Sequence, residues 1–180
     1  MNRLALAAVL LAATATTASA GGFVGLGIGT TPAVTGDVAY HADGRSGRLE
    51  LGYSFGRLSI EGLGSRFDLF RADGYGYQDT SLGIAGKYNL PLGDRFEVFG
   101  RLGLQYTDLR SDDRVREDYS GSGILAGAGF EYRIPLQALK ASVFVDYTIA
   151  HSSLTSPAVY GTTEFSFTTR AWTLGATISF

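Results

Sequence analysis

The chain has 180 residues, the length of one domain, and carries 15 basic against 17 acidic side chains, so it offers no strong positive field to attract nucleic acid. It contains no cysteine, which excludes a disulfide framework, a thiolate metal site and a cysteine nucleophile, and neither a metal nor a cofactor is expected. Twenty-five glycines, 12% aromatic residues and only four prolines point to strands whose side chains must fit a narrow interior.

Arg3 gives the chain a positive start, Leu4 to Ala13 is a short apolar core, and Ala18-Ser19-Ala20 is a small-residue cleavage site. Residues 1–20 therefore read as a secretory signal peptide and residues 21–180 as the mature domain. The apolar run is too short to span a bilayer as a helix, and no later run approaches the roughly 18 residues that a helix needs.

Period-two alternation then recurs along the chain. Val24, Leu26 and Ile28 alternate with glycines, and a polar loop follows through His41 to Arg45. Arg48 to Phe55 and Leu58 to Leu63 form the next two predicted strands, joined by Gly56-Arg57, where glycine at the first turn position suits a type II′ hairpin. That hairpin pairs Phe55 with Leu58 and puts Glu61 opposite Gly52. A loop over Arg66 to Gln78 leads to a strand at Ser81 to Tyr88, a turn with Pro91 and Gly93, and a strand at Phe96 to Tyr106. Asp108 to Asp118 reads as a charged loop, Leu125 to Arg133 as the sixth strand, Leu139 to Ile149 as the seventh, Ser152 to Phe165 as a loop, and Arg170 to Phe180 as the eighth. Connections alternate long and short, and strands of about nine to eleven residues are long enough to cross a membrane tilted. The expectation is an all-β, eight-stranded antiparallel up-and-down transmembrane barrel.

Alternation also fits a soluble barrel, so the chemistry of the polar face decides which way it points. That face is mostly Gly, Ser, Thr and Ala with one or two charges per strand, where a solvated face would be rich in Lys and Glu. Its charges balance: Arg48, Lys87, Arg101, Arg133 and Lys140 stand against Glu50, Glu61, Glu97, Glu131 and Asp146. Buried charges demand partners, so these ten predict ion pairs across a filled lumen. On the apolar face, Phe55, Tyr88, Phe96, Tyr132 and Phe180 lie near the short turns, and Tyr106, Tyr147 and Trp172 lie towards the long loops. Two aromatic girdles facing the membrane are expected.

A signal peptide, eight alternating strands, a salt-bridged lumen and a terminal Phe resemble the OmpA-like and OmpX-like small outer-membrane barrels. The resemblance implies a bacterial outer-membrane location and contact with outer-membrane lipid and lipopolysaccharide. It also implies insertion by the barrel-assembly machinery through the strand ending at Phe180, and a monomer. It suggests a role in envelope integrity or surface interaction, with a narrow gated pore as an alternative in which Arg101 exchanges Glu61 and Glu131.

Other motifs carry less. Gly121 to Ala126 matches a Gly-rich dinucleotide pattern but opens a strand with no crossover helix. Asp112, Asp113, Arg114, Arg116, Glu117 and Asp118 form a charge run that reads first as a solvated loop, with cation or headgroup binding as the alternative. Phe67, Leu69, Phe70, Tyr75 and Tyr77 read as an aromatic belt at the membrane edge or as an adhesive patch. His151 and Ser153 with Glu164 resemble the His-x-Ser and Glu triad of PagL-type lipid A deacylases, which implies His151 as general base, Ser153 as nucleophile and Glu164 as orienting carboxylate. Leu154 stands where that family has Asn after the serine. The preferred reading ends the seventh strand here and leaves His151 on the rim, without catalysis.

Overall fold

A computed structural model of the chain describes residues 20–37, 40–71, 76–111, 118–136, 140–158 and 161–180. Residues 1–19 of the expected signal peptide, Tyr75, most of the charge run from Asp112 to Glu117, and Leu139 lie outside the described residues, as does the side chain of Phe70. Among the described residues the strands are β1 (Gly21–Gly29), β2 (Ala33–Gly36), β3 (Tyr40–Phe55), β4 (Leu58–Arg71), β5 (Gly76–Pro91), β6 (Phe96–Ser111), β7 (Tyr119–Ile134), β8 (Lys140–Ala158) and β9 (Gly161–Ser179). Each long strand pairs antiparallel with its neighbour in sequence, and β1 pairs with both β3 and β9, which closes the ring. The short β2 continues the wall of β1 along β9, so eight staves make the barrel.

The register fixes the barrel's geometry. From Leu26 the ladder passes through Leu49, Gly64, Leu82, Tyr106, Ser122 and Ser153 to Ser166, yet Leu26 itself pairs with Ala176. The circuit therefore closes with a shear of ten residues, the distance from Ser166 to Ala176. Eight strands with that stagger tilt by about 40° and leave an interior that side chains fill. The Gly56-Arg57 hairpin forms with Gly56 at φ 82° and with Phe55 opposite Leu58 and Glu61 opposite Gly52, because glycine adopts the positive φ of the turn without a Cβ clash.

The strands run well past the expected ends. The segments Arg66 to Gln78, Asp108 to Asp118 and Ser152 to Phe165, read from sequence as loops, are largely strand, and so is the segment around His41 to Arg45. The cause is an inversion of polarity at one end. On β4 the outward residues change from Leu58 and Ile60 to Arg66 and Asp68, while the inward ones change from Ser59 and Glu61 to Phe67 and Leu69. The same switch occurs on β6, from outward Leu104 and Tyr106 to outward Asp108 and Arg110 above inward Leu109. Period two persists while the apolar face moves inside, as in a barrel whose outer surface meets water.

Between these limits the outer wall is apolar. On β6 the band runs from Phe96 to Tyr106, ten residues or roughly 25 Å along the barrel axis at this tilt. Phe55, Phe96, Tyr106, Trp172 and Phe180 are exposed on it, and Tyr88, Tyr132 and Tyr147 are half-buried. Tyr147 packs on Trp172 with ring centroids 4.9 Å apart, and Phe96 on Tyr132 at 5.0 Å. The short turns mark the periplasmic end and the extended strands the external end.

Candidate functional site

Parity sends one residue in two from every stave into the lumen, and near mid-membrane these side chains are charged. Arg101 on β6 is at its centre. Its guanidinium stands 2.9 Å from Asp146 on β8, 3.4 Å from Glu61 on β4 and 3.5 Å from Glu50 on β3, and all four side chains are buried. Arg48 donates to Asp146 at 2.5 Å and to Thr148 Oγ1 at 2.9 Å. Lys87 on β5 lies 3.5 Å from Glu61 and donates to Glu131 at 3.0 Å, and Ser142 donates to the other oxygen of Glu131 at 2.5 Å. The contacts of Arg101 are ionic without hydrogen-bond geometry, and both carboxylate oxygens of Glu50 and Glu61 also lack hydrogen-bond partners.

Seven of the ten charges named from sequence thus meet in one buried network, and the other three lie at the rim. Arg133 pairs with Glu97 at the periplasmic end but is itself exposed, and Lys140 is an exposed residue there as well. They border the lumen instead of filling it, because β7 and β8 end within a turn of both residues. Sequence reasoning missed Phe99, Phe23 and Phe144, aromatic residues on the inward face of their strands. Lys87 Nζ lies 4.2 Å from the centroid of Phe99 and the Arg101 guanidinium 5.0 Å from it, so the ring supplies part of the cations' solvation. Their parity with Glu97, Arg101 and Asp146 was the available signal.

Above the charges the lumen is layered. Ala85, Leu125 and Ala150, with Leu63 against them, form a thin apolar layer. A hydroxyl layer follows: Ser81 and Thr107 share a hydrogen bond at 2.9 Å, Thr107 and Ser152 share one at 3.1 Å, and Gln105 donates to Ser152 at 2.9 Å. Over it lies an apolar cap of Phe67, Leu69, Tyr77, Leu109, Leu154, Phe165 and Phe167, all buried. Phe67, Leu69 and Tyr77, read from sequence as an external belt or patch, therefore point into the barrel. They lie above the membrane, where water covers the outer wall and apolar side chains gain by turning inwards.

Asp79 sits between hydroxyl layer and cap at 1% exposure, accepting from Ser81 Oγ at 2.9 Å, with Phe67 and Leu109 as its register neighbours. Burial pushes its carboxyl up to about 7, against the Ser81 hydrogen bond, and the negative Asp108 raises it further.

On the outer wall, β8 continues through His151 and Ser153 to Ala158, so neither is in a loop. Both face outwards and are exposed. His151 Nδ1 is hydrogen-bonded to Thr168 Oγ1 at 3.0 Å. Glu164 lies opposite Thr155, four residues along β9 from Thr168, or roughly 13 Å. His151, Ser153 and Glu164 all lie on the outward face: Glu164 is diagonal to Ser153, two residues along β9 from Ser166, which pairs with Ser153, and stands farther from His151. Asp37 is closer, accepting from Ser166 N and Oγ at 2.8 Å each, and these hydrogen bonds hold its carboxyl below the usual range. Among the described residues no group of three or more His, Asp or Glu gathers that could hold a metal ion.

A closed eight-stave ring of shear ten, an apolar outer band between aromatic residues and a charged interior define a small transmembrane β-barrel of the bacterial outer membrane. Residues 4–180 match the model of the outer membrane protein beta-barrel domain, and the chain belongs to that family. No curated protein matches the sequence. Among solved structures, the neisserial surface protein A superposes with a TM-score of 0.67 at 14% identity, covering 91% of this chain and 100% of that one. AlkL in lipid bilayers gives 0.60 at 11% identity over 92% of this chain and 93% of that one. Ail of Yersinia pestis gives 0.55 at 15% identity over 91% and 100%. At these identities the likeness is one of fold.

Proposed function

We propose that this barrel is a non-enzymatic structural or surface-interaction protein of the outer membrane, its lumen plugged by ion pairs. The observation that carries this reading is Arg101, buried without a hydrogen-bond partner among Glu50, Glu61 and Asp146. An open aqueous path would hydrate those groups, and above them the apolar cap excludes water a second time. The external wall, with polar residues outwards on strands that project past the membrane, is then the part available to a partner. Ail, a structural neighbour, was crystallised with a heparin analogue, sucrose octasulfate.

Planar-bilayer recording tests the plug: the purified barrel is expected to give no unitary current steps, and a reproducible unit conductance would replace this reading with the pore. Lipid A mass spectrometry tests the absence of catalysis. Cells expressing wild type and His151→Ala are expected to show identical lipid A, whereas loss of an acyl chain with wild type alone would make the protein a deacylase.

A further inference from the structure

Glycine occurs on both faces of this wall, and the two faces differ in what they demand. In the lumen, a Cβ at Gly25, Gly103 or Gly129 would lie 2.6, 2.2 or 2.4 Å from a neighbouring atom, so larger residues do not fit. On the lipid face, a Cβ at Gly47 would meet nothing within 4 Å, and one at Gly64 only Leu82 Cδ2 at 3.6 Å and Leu49 O at 4.0 Å. Neither is among the positive-φ glycines. The chain's own packing and backbone thus leave room for side chains at both positions. Glycine inside a strand weakens it relative to alanine and often marks a place where a ligand or another backbone approaches closely.

Gly47 and Gly64 floor a trough of about 310 Å³ in the outer wall of β3, β4 and β5. Leu49 and Leu82, both exposed, form its sides, and Arg66 and Thr80 stand at its external end. Arg66 pairs in register with Gly47 on one side and Thr80 on the other, at the point where the outer face turns from apolar to polar. It is exposed and has no ion pair among the described residues. Asp68, the next outward residue on β4, lies one pleat farther from the membrane. The trough therefore offers an apolar channel below and a free guanidinium above.

We infer that this trough seats one lipopolysaccharide molecule of the outer leaflet. An acyl chain of lipid A lies over Gly47 and Gly64 between Leu49 and Leu82, and a lipid A phosphate takes the guanidinium of Arg66, whose forked N–H groups match a phosphate, with the Thr80 hydroxyl donating beside it. The inference rests on the outer-membrane placement and deepens the envelope role by naming where lipid is held.

Native mass spectrometry of the full barrel, reconstituted with purified lipopolysaccharide or with phosphatidylglycerol, tests it, and heat-modifiable gel migration checks folding. Wild type is expected to retain one lipopolysaccharide, and Arg66→Gln and Gly64→Leu each to reduce the retained fraction at least fivefold. Arg170→Gln, an exposed arginine beside Trp172 on the other wall, is expected to stay within twofold of wild type. If Gly64→Leu does not fold, Gly47→Leu makes the same test. Full retention by the leucine variants, equal retention of phosphatidylglycerol, or a barrel dimer lost on Gly64→Leu would each overturn the proposal. The plug is read separately by conductance, so failure of one leaves the other standing.

Discussion

One oxygen of Asp146 accepts a hydrogen bond from Arg48 at 2.5 Å and stands 2.9 Å from Arg101, so a single carboxylate holds guanidinium groups from two staves on far sides of the lumen. With Asp146 neutral, two cations would face each other in a space that excludes water. Removing one member of such a buried arrangement costs about 3–5 kcal/mol. Asp146→Asn, which keeps the shape and loses the charge, is therefore expected to lower the urea midpoint of the vesicle-embedded barrel clearly, followed by fluorescence of Trp172, the chain's one tryptophan. An unchanged midpoint would mean that the charges are hydrated, against a plugged lumen.

Asp79, buried beside apolar side chains, predicts a pH dependence. Its carboxyl titrates at about 7 in the folded barrel and at 3.8 when unperturbed, so the folded state binds the proton more tightly. The stability from this group is full below the unfolded value and is lost as pH rises from about 4 through 7, with no further change above. Ser81, Phe67 and Leu109 are its neighbours and the negative Asp108 lies nearby, so no cation among the described residues around it offsets the loss. Asp79→Asn is expected to flatten urea midpoints between pH 5 and pH 8, and to be the more stable protein at pH 8. A slope that survives the substitution would assign the dependence elsewhere.

How far the sequence could be read follows from this division of the barrel into two parts. In the membrane, alternation, the small-residue polar face and the balanced charges define stave, parity and register, down to Glu61 opposite Gly52. They also bring Arg101, Asp146 and Glu50 together, because a closed ring forces inward residues of distant strands to meet. Beyond the membrane the solvent outside changes from lipid to water, so the apolar face changes sides. A search for outward apolar residues stops at Arg66, Tyr106 and Ile149, and strand beyond them looks like loop. The same parity puts His151 and Ser153 on the outer face, but the separation of His151 from Glu164 depends on the pairing of β8 with β9, which no local pattern encodes.

The lumen-facing glycines predict a contrast with the lipid-facing ones. A Cβ at Gly129 would lie 2.4 Å from Val145 O and 2.6 Å from Phe99 Cζ, so backbone and a core ring would both have to move. A Cβ at Gly86 on the outer face meets nothing within 4 Å. Gly129→Ala is expected to cost about 1–3 kcal/mol as an overpacked site and to reduce the folded fraction on gels, while Gly86→Ala should leave it unchanged or slightly raised. Equal behaviour of the two would contradict the assignment of faces.

The apolar cap gives the last prediction, because it and the membrane band are held by different forces. Leu109 is 0% exposed within the cap, packed among aromatic residues from other strands. Leu109→Glu puts a second carboxyl directly opposite Asp79 with no cation among the described residues of the cap to meet it, and the side chain reaches water only by parting the strands around it. Below Tyr106 the wall still meets lipid, and the ion-pair layer is untouched. The variant is therefore expected to remain heat-modifiable and membrane-inserted while amide exchange rises in the outer turns of β4 to β9. Exchange that rises equally down to Arg101 would mean that cap and ion-pair layer open as one unit, and that the cap is needed to keep the lumen closed.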